Sequence, residues 1–148
     1  MLQPSTQAFL KNLAKNNNRE WFDEHRKEYD VAKKDYEQYV EKMLEELCKE
    51  EESFKGQKAK DCIFRIFRDV RFSKDKSPYK ANFGAVFSKG GKKHMGAGYY
   101  VHIEPRKNFI GGGIWQPEGD MLKKIRQEID YNLEEFQGIL KNKNFHTD

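Results

Sequence analysis

Long apolar runs are missing from this 148-residue chain. Nothing approaches the ~18 consecutive apolar residues of a membrane-spanning helix, and the N-terminus has no apolar signal-peptide core, so a cytoplasmic protein without a membrane partner is expected. Cysteine is scarce. Cys48 and Cys62 are the only two, far apart and without a companion Cys or His at metal-ligand spacing, which excludes a disulfide scaffold and leaves them as reduced, inert thiols. Phosphate-loop and dinucleotide glycine patterns, a serine nucleophile elbow, a zincin helix and internal repeats are also absent, so no reaction type and no cofactor is assigned. Apolar residues make up only 36% of the chain and charged ones 35%, against a norm of about 25% charged. Disorder is nevertheless excluded, because 11 Phe, 7 Tyr and 2 Trp supply enough large apolar surface to offset the ordering entropy. The length suits one domain over residues 1–148.

What is present changes character along the chain. Ser5 or Thr6 is suited to cap a short helix carrying Phe9, Leu10 and Leu13, and Asn16-Asn17-Asn18 reads as a stop and restart. From Arg19 to about Glu50, Phe22, His25, Tyr29, Ala32, Tyr36, Tyr39 and Met43 recur at helical spacing, which predicts one long amphipathic helix. Aromatics stand where a coiled coil would have Leu and Ile, so the stripe is expected to lie on the protein's own sheet. His25 on that stripe reads as a hydrogen-bonded core histidine.

The period then drops to two. Cys62–Phe72, Tyr79–Ser88, Gly98–Glu104 and Phe109–Trp115 alternate as four strands, joined by Asp75-Lys76-Ser77-Pro78, a Lys89–Lys93 turn and Pro105–Asn108. Gly111-Gly112-Gly113 is read as a bulge or the close approach of another backbone. Pro117–Asp120 opens a helix carrying Met121, Leu122, Ile125 and Ile129, and Leu133–Leu140 reads as another. The expected fold is α+β, with N-terminal helices on an antiparallel meander and C-terminal helices after it.

Charge is concentrated in the middle. Residues 61–107 carry 11 Lys and Arg against 4 Asp and Glu, while the chain as a whole nets only +4. The densest part is Arg65-x-x-Arg68-Asp69-x-Arg71-Phe72-x-x-Asp75-Lys76-x-Pro78-Tyr79. It resembles the signature of a sparsely distributed, mainly bacterial family of conserved hypothetical proteins, a domain of unknown function. Phe9-Leu10, Asn16-Asn17, Trp21-Phe22, His25-Arg26 and Tyr29 resemble that family's N-terminal segment, and Gly98-Tyr99-Tyr100 with Gly111-Gly112-Gly113 its middle. The resemblance implies a bacterial cytoplasmic protein, suggests that part of the family's C-terminal region is absent, and brings no function with it.

Arginine presents a planar fork to carboxylate or phosphate, so the motif reads as an anion site with Arg65, Arg71 and Lys76 as contacts and Asp69, Tyr100 and His102 beside them. Strand parity puts Arg65, Asp69 and Arg71 on one face and Arg68 on the apolar face. Arg68 is therefore expected to be buried against Asp75 or Glu104, its loss costing several kcal/mol. The bland alternative is an Arg/Asp network that merely pins the turn to the sheet. His102, Tyr100, Glu104 and Asp69 could also gather for acid-base chemistry. A divalent metal on Asp69, Asp75, Glu104 and His102 is disfavoured by the surrounding cations, and no metal is expected. His94 and His146 do not read as ligands. The function expected is binding of a small phosphorylated or carboxylated molecule. Nucleic-acid binding is the alternative, weakened by the interleaved aspartates, with a structural or interaction module as the third reading.

Overall fold

The computed structural model describes residues 1–93 and 96–143, so His94 and His146 lie outside the described residues. The chain divides into two compact units, residues 1–114 and 115–148. In the first, helices α1 (Pro4–Lys15), α2 (Arg19–Glu24), α3 (Arg26–Glu50) and α4 (Ala59–Cys62) precede strands β1 (Phe83–Ser88), β2 (Gly98–Ile103) and β3 (Phe109–Gly113). The strands form an antiparallel meander in the order β1-β2-β3. The fold is α+β. In the second unit, α5 (Gly119–Tyr131) and α6 (Leu133–Leu140) follow each other, with no residue of either helix fully buried.

One core cluster explains the first unit. Phe9, Leu10 and Leu13 of α1 and Tyr29, Ala32, Tyr36, Val40 and Leu44 of α3 bury with Phe83, Ala85, Phe87, Val101 and Ile103 of the sheet. These strand residues alternate, which leaves the even-numbered face of β2, with Tyr100 and His102, turned away from the helices. Neither Ser5 nor Thr6 caps α1. Its N-cap is Gln3, and Asp35 of α3 accepts from the Gln3 N–H at 2.9 Å and the Thr6 hydroxyl at 2.6 Å. Asn18 does cap α2, accepting from the Trp21 N–H at 2.9 Å.

Two expectations are corrected here. The helix read from Arg19 to Glu50 is interrupted at His25, whose backbone leaves helical geometry. There His25 Nδ1 bonds the Trp21 carbonyl at 2.8 Å while its ring stacks on the Trp21 indole at 4.0 Å. The strand read over Cys62–Phe72 is not a strand. Cys62 closes α4, and only the bridges Ile63 with Ala85 and Phe67 with Tyr79 remain. The segment changes partners, since the Phe64 N–H donates to the Gly84 carbonyl while Lys80 N–H donates to Ile66 and Arg68 N–H to Pro78. A continued ladder would return a bond from residue 78 to Arg68, and proline has no N–H to give. Parity fails with the ladder: Ile66 is buried, yet Phe72 is 96% exposed.

Gly111-Gly112-Gly113 forms neither a bulge nor a backbone crossing. The three pair in regular register with Tyr100, Tyr99 and Gly98, the Tyr99 ring lying against Gly112.

Candidate functional site

The even face of β2 gathers a hydrogen-bonded row. Residues two apart on a strand share a face, so Tyr100, His102 and Glu104 line up along it. Glu104 Oε2 lies 3.0 Å from His102 Nε2, and the Tyr100 hydroxyl lies 3.1 Å from His102 Nδ1. A carboxylate only accepts, so the imidazole proton is assigned to Nε2, leaving Nδ1 to accept from Tyr100 and, at 3.4 Å, from the Asn82 amide. Gly84 on β1 makes room for this row: a Cβ there would stand 2.7 Å from the Tyr100 hydroxyl oxygen. Burial raises the Tyr100 pKa, which keeps its hydroxyl a donor. The order carboxylate, imidazole, hydroxyl fixes the His102 tautomer and aims the Tyr100 hydroxyl at Nδ1.

Beside the row stands a pair of cations. Phe64 lies 6.2 Å from Tyr100, and the Lys80 ammonium sits 5.5 Å over the Phe64 ring. Lys80 has its pKa lowered, first by burial and then by the like charge of Arg65. Among the described residues neither Arg65 nor Lys80 makes an ion pair.

The rest of the motif is committed elsewhere. Arg71 holds Asp69 through two bonds, Nε to Oδ1 at 3.0 Å and Nη2 to Oδ2 at 2.7 Å, while its guanidinium also lies over Phe72. The Lys76 ammonium donates to the Val70 carbonyl at 3.0 Å. Arg68 pairs with Asp75, and Glu104 belongs to His102 and Lys107. The Arg68 side chain is 27% exposed and Asp75 more so, which corrects the expected burial. Removing Arg68 leaves Asp75 in water, so the loss is that of a partly exposed pair rather than of an orphaned buried charge. Among the described residues no hydrogen bond or ring contact joins Asp69, Arg71 or Lys76 to Tyr100 or His102. No cluster of three or more His, Cys, Asp or Glu side chains stands in position to hold a metal ion among those residues.

The motif's end has a structural duty as well. Asn17 grips Tyr79 from both sides, donating to its carbonyl at 2.9 Å and accepting from its N–H at 3.1 Å. Lys80 is thereby held one residue from a fixed point. Four residues of the site were not singled out in the sequence: Phe64, Lys80, Asn82 and Phe109. Alternation along the strand expected over Tyr79–Ser88 was the available signal for two of them, since Lys80 and Asn82 are even-numbered, opposite in phase to Phe83, Ala85 and Phe87.

The carboxylates predict the acid response. Asp75 is held well below the ordinary carboxylate range by the Ser77 hydroxyl first and Arg68 next, Asp69 is lowered by Arg71, and Glu104 is lowered by His102. Depressed folded-state values mean stability that is present above the unfolded carboxylate pKa and lost as pH falls toward the folded ones. The melting temperature should therefore hold between about pH 7 and pH 5 and drop below about pH 4. Asp75→Asn should reduce that drop. An acid limb identical in that variant would remove Asp75 from the explanation.

The chain belongs to a family of conserved hypothetical proteins (DUF2461), whose family model matches residues 5–148. No curated protein and no solved structure matches it.

Proposed function

We propose that this protein binds a small phosphorylated or carboxylated molecule on the Tyr100–His102 face of its sheet, with Arg65 and Lys80 supplying the charge. One observation carries the reading. Lys80 sits partly buried over the Phe64 ring and feels the charge of Arg65, and neither makes an ion pair among the described residues, whereas Arg68 and Arg71 are each paired. Asp69, which also feels Arg65, is already held by Arg71. Two adjacent cations repel, and partial burial of one makes the repulsion worse, so an anion arriving between them relieves both costs. Tyr100, His102 and Asn82 add hydrogen-bonding groups around the bound molecule. Arg71 and Lys76, the other contacts expected from the sequence, are held by Asp69 and by the Val70 carbonyl and take no part in this reading. A cytoplasmic setting goes with this reading, and no helix among the described residues is long and apolar enough to cross a membrane.

A thermal-shift panel of inorganic phosphate, sugar phosphates, nucleotides and dicarboxylates tests it, because a ligand that binds only the folded state raises the melting temperature. At least one such anion should do so, and Arg65→Ala with Lys80→Ala should abolish the shift without lowering the unliganded melting temperature. The reading falls if no anion acts, or if the double variant responds like the parent. Salt-sensitive RNA or DNA binding, lost in the same variant, would favour the nucleic-acid reading instead.

A further inference from the structure

The face that carries the cation pair is also a strip of aromatic rings. Antiparallel register sets Phe109 opposite His102, and the two rings stack at 4.9 Å with 15° between their planes. Phe109 lies 5.7 Å from Tyr100, which in turn lies 6.2 Å from Phe64. Rings therefore run without a break from Phe64 through Tyr100 to Phe109. Both ends are open to water, Phe64 being 37% and Phe109 53% exposed. A single exposed ring is ordinary on a protein surface, but a row of them ending at a cation that makes no ion pair among the described residues suits a ligand with two chemistries.

Those chemistries are separated along the strip. Positive charge stands at the Phe64 end, where Lys80 caps the ring and feels the charge of Arg65. At the other end Phe109 offers a flat ring, backed by His102, with no cation in ring contact among the described residues. A planar, π-rich group covers such a ring with its whole face whatever its hydrogen-bonding pattern, whereas a sugar offers only a patch of C–H groups and a short dicarboxylate no ring at all. Two ring-to-ring steps separate Phe64 from Phe109, a longer reach than one phosphate next to its own nucleoside provides.

We propose that the anion bound here is a nucleoside di- or triphosphate, its base stacked on Phe109 and its phosphates held by Arg65 and Lys80. This rests on the anion-binding reading and adds the identity of the ligand. Discrimination should come from the ring, since stacking on an aromatic side chain strengthens base binding by roughly tenfold or more. Tyr100 lies between the two anchor points, facing the sugar.

Calorimetric titration with ADP, AMP, ribose 5-phosphate and pyrophosphate separates the claims. ADP should bind roughly tenfold tighter than pyrophosphate or ribose 5-phosphate, and tighter than AMP. Phe109→Leu, which keeps apolar cover over His102 but removes the ring, should bring ADP to the level of pyrophosphate. Arg65→Ala with Lys80→Ala should lose all four. Equal binding of ADP and pyrophosphate, or an unchanged preference in Phe109→Leu, overturns the nucleotide assignment and leaves the anion site standing. Failure of all four probes with the parent protein overturns the nucleotide assignment, and the anion site itself falls if the dicarboxylates of the thermal-shift panel fail as well. Tighter binding of a short oligoribonucleotide than of ADP, with steep loss between low and physiological salt, overturns the assignment in favour of nucleic acid.

Discussion

Phe22→Ala is expected to destabilise the protein by about 3–5 kcal/mol, the usual range for a fully buried aromatic ring. Phe22 joins the N-terminal helices to the signature motif. Its ring stacks on Tyr79 at 4.0 Å, and it meets Tyr29 at 5.0 Å, Phe67 at 6.0 Å and Phe9 at 6.4 Å. Truncation opens a cavity among four rings that cannot all close on it, because Tyr79 is fixed by Asn17 and Phe9 and Tyr29 by their helices. Against a total stability of roughly 5–15 kcal/mol, the loss approaches unfolding. Urea denaturation reads it directly. A loss below about 1 kcal/mol would mean that the motif loop does not depend on this packing.

Tyr36→Phe should act in the opposite direction. Tyr36 is 1% exposed and stacks on Phe83 at 5.0 Å, yet its hydroxyl has no hydrogen-bond partner among the described residues. Burial pushes its pKa up, as expected for a phenol held away from water. A buried donor left unpaired costs roughly 1–3 kcal/mol, and phenylalanine keeps the ring and its stacking while removing the unpaired group. The variant should therefore gain stability of that order, seen as a higher urea midpoint with an unchanged slope. A loss of stability would show that the hydroxyl is hydrogen-bonded.

Much of the fold is legible because burial here is one-sided. Phe83, Ala85 and Phe87, then Val101 and Ile103, alternate with residues facing away from the helices, and that periodicity is independent of their partners. The stripe from Phe22 to Met43 is equally readable, although its break at His25 is not, since the cause is a side chain bonding a carbonyl one turn earlier. Residues 62–72 mislead for a related reason. They alternate like a strand, but pairing is divided between β1 and the Pro78–Lys80 stretch, and a proline at the junction prevents the ladder from continuing.

The site is legible in part. The grouping of Tyr100 with His102 follows from parity alone. The division of the arginines does not: Asp69 two residues from Arg71 and Asp75 seven from Arg68 are equally available partners in the sequence, and only the turn geometry decides which cations are left unneutralised. Lys80 was missed because it lies outside the dense charge run and precedes the first residue of β1.

The claim that Arg65 and Lys80 form an anion site is tested most directly by following backbone and side-chain NMR signals while inorganic phosphate is added. Phosphate should move the amides of Phe64 and Arg65, those of Lys80 to Asn82, and the imidazole signals of His102, all with one saturation curve. Movement confined to residues 71–76 or to the Lys89–Lys93 turn, with Arg65 and Lys80 unmoved, would contradict it.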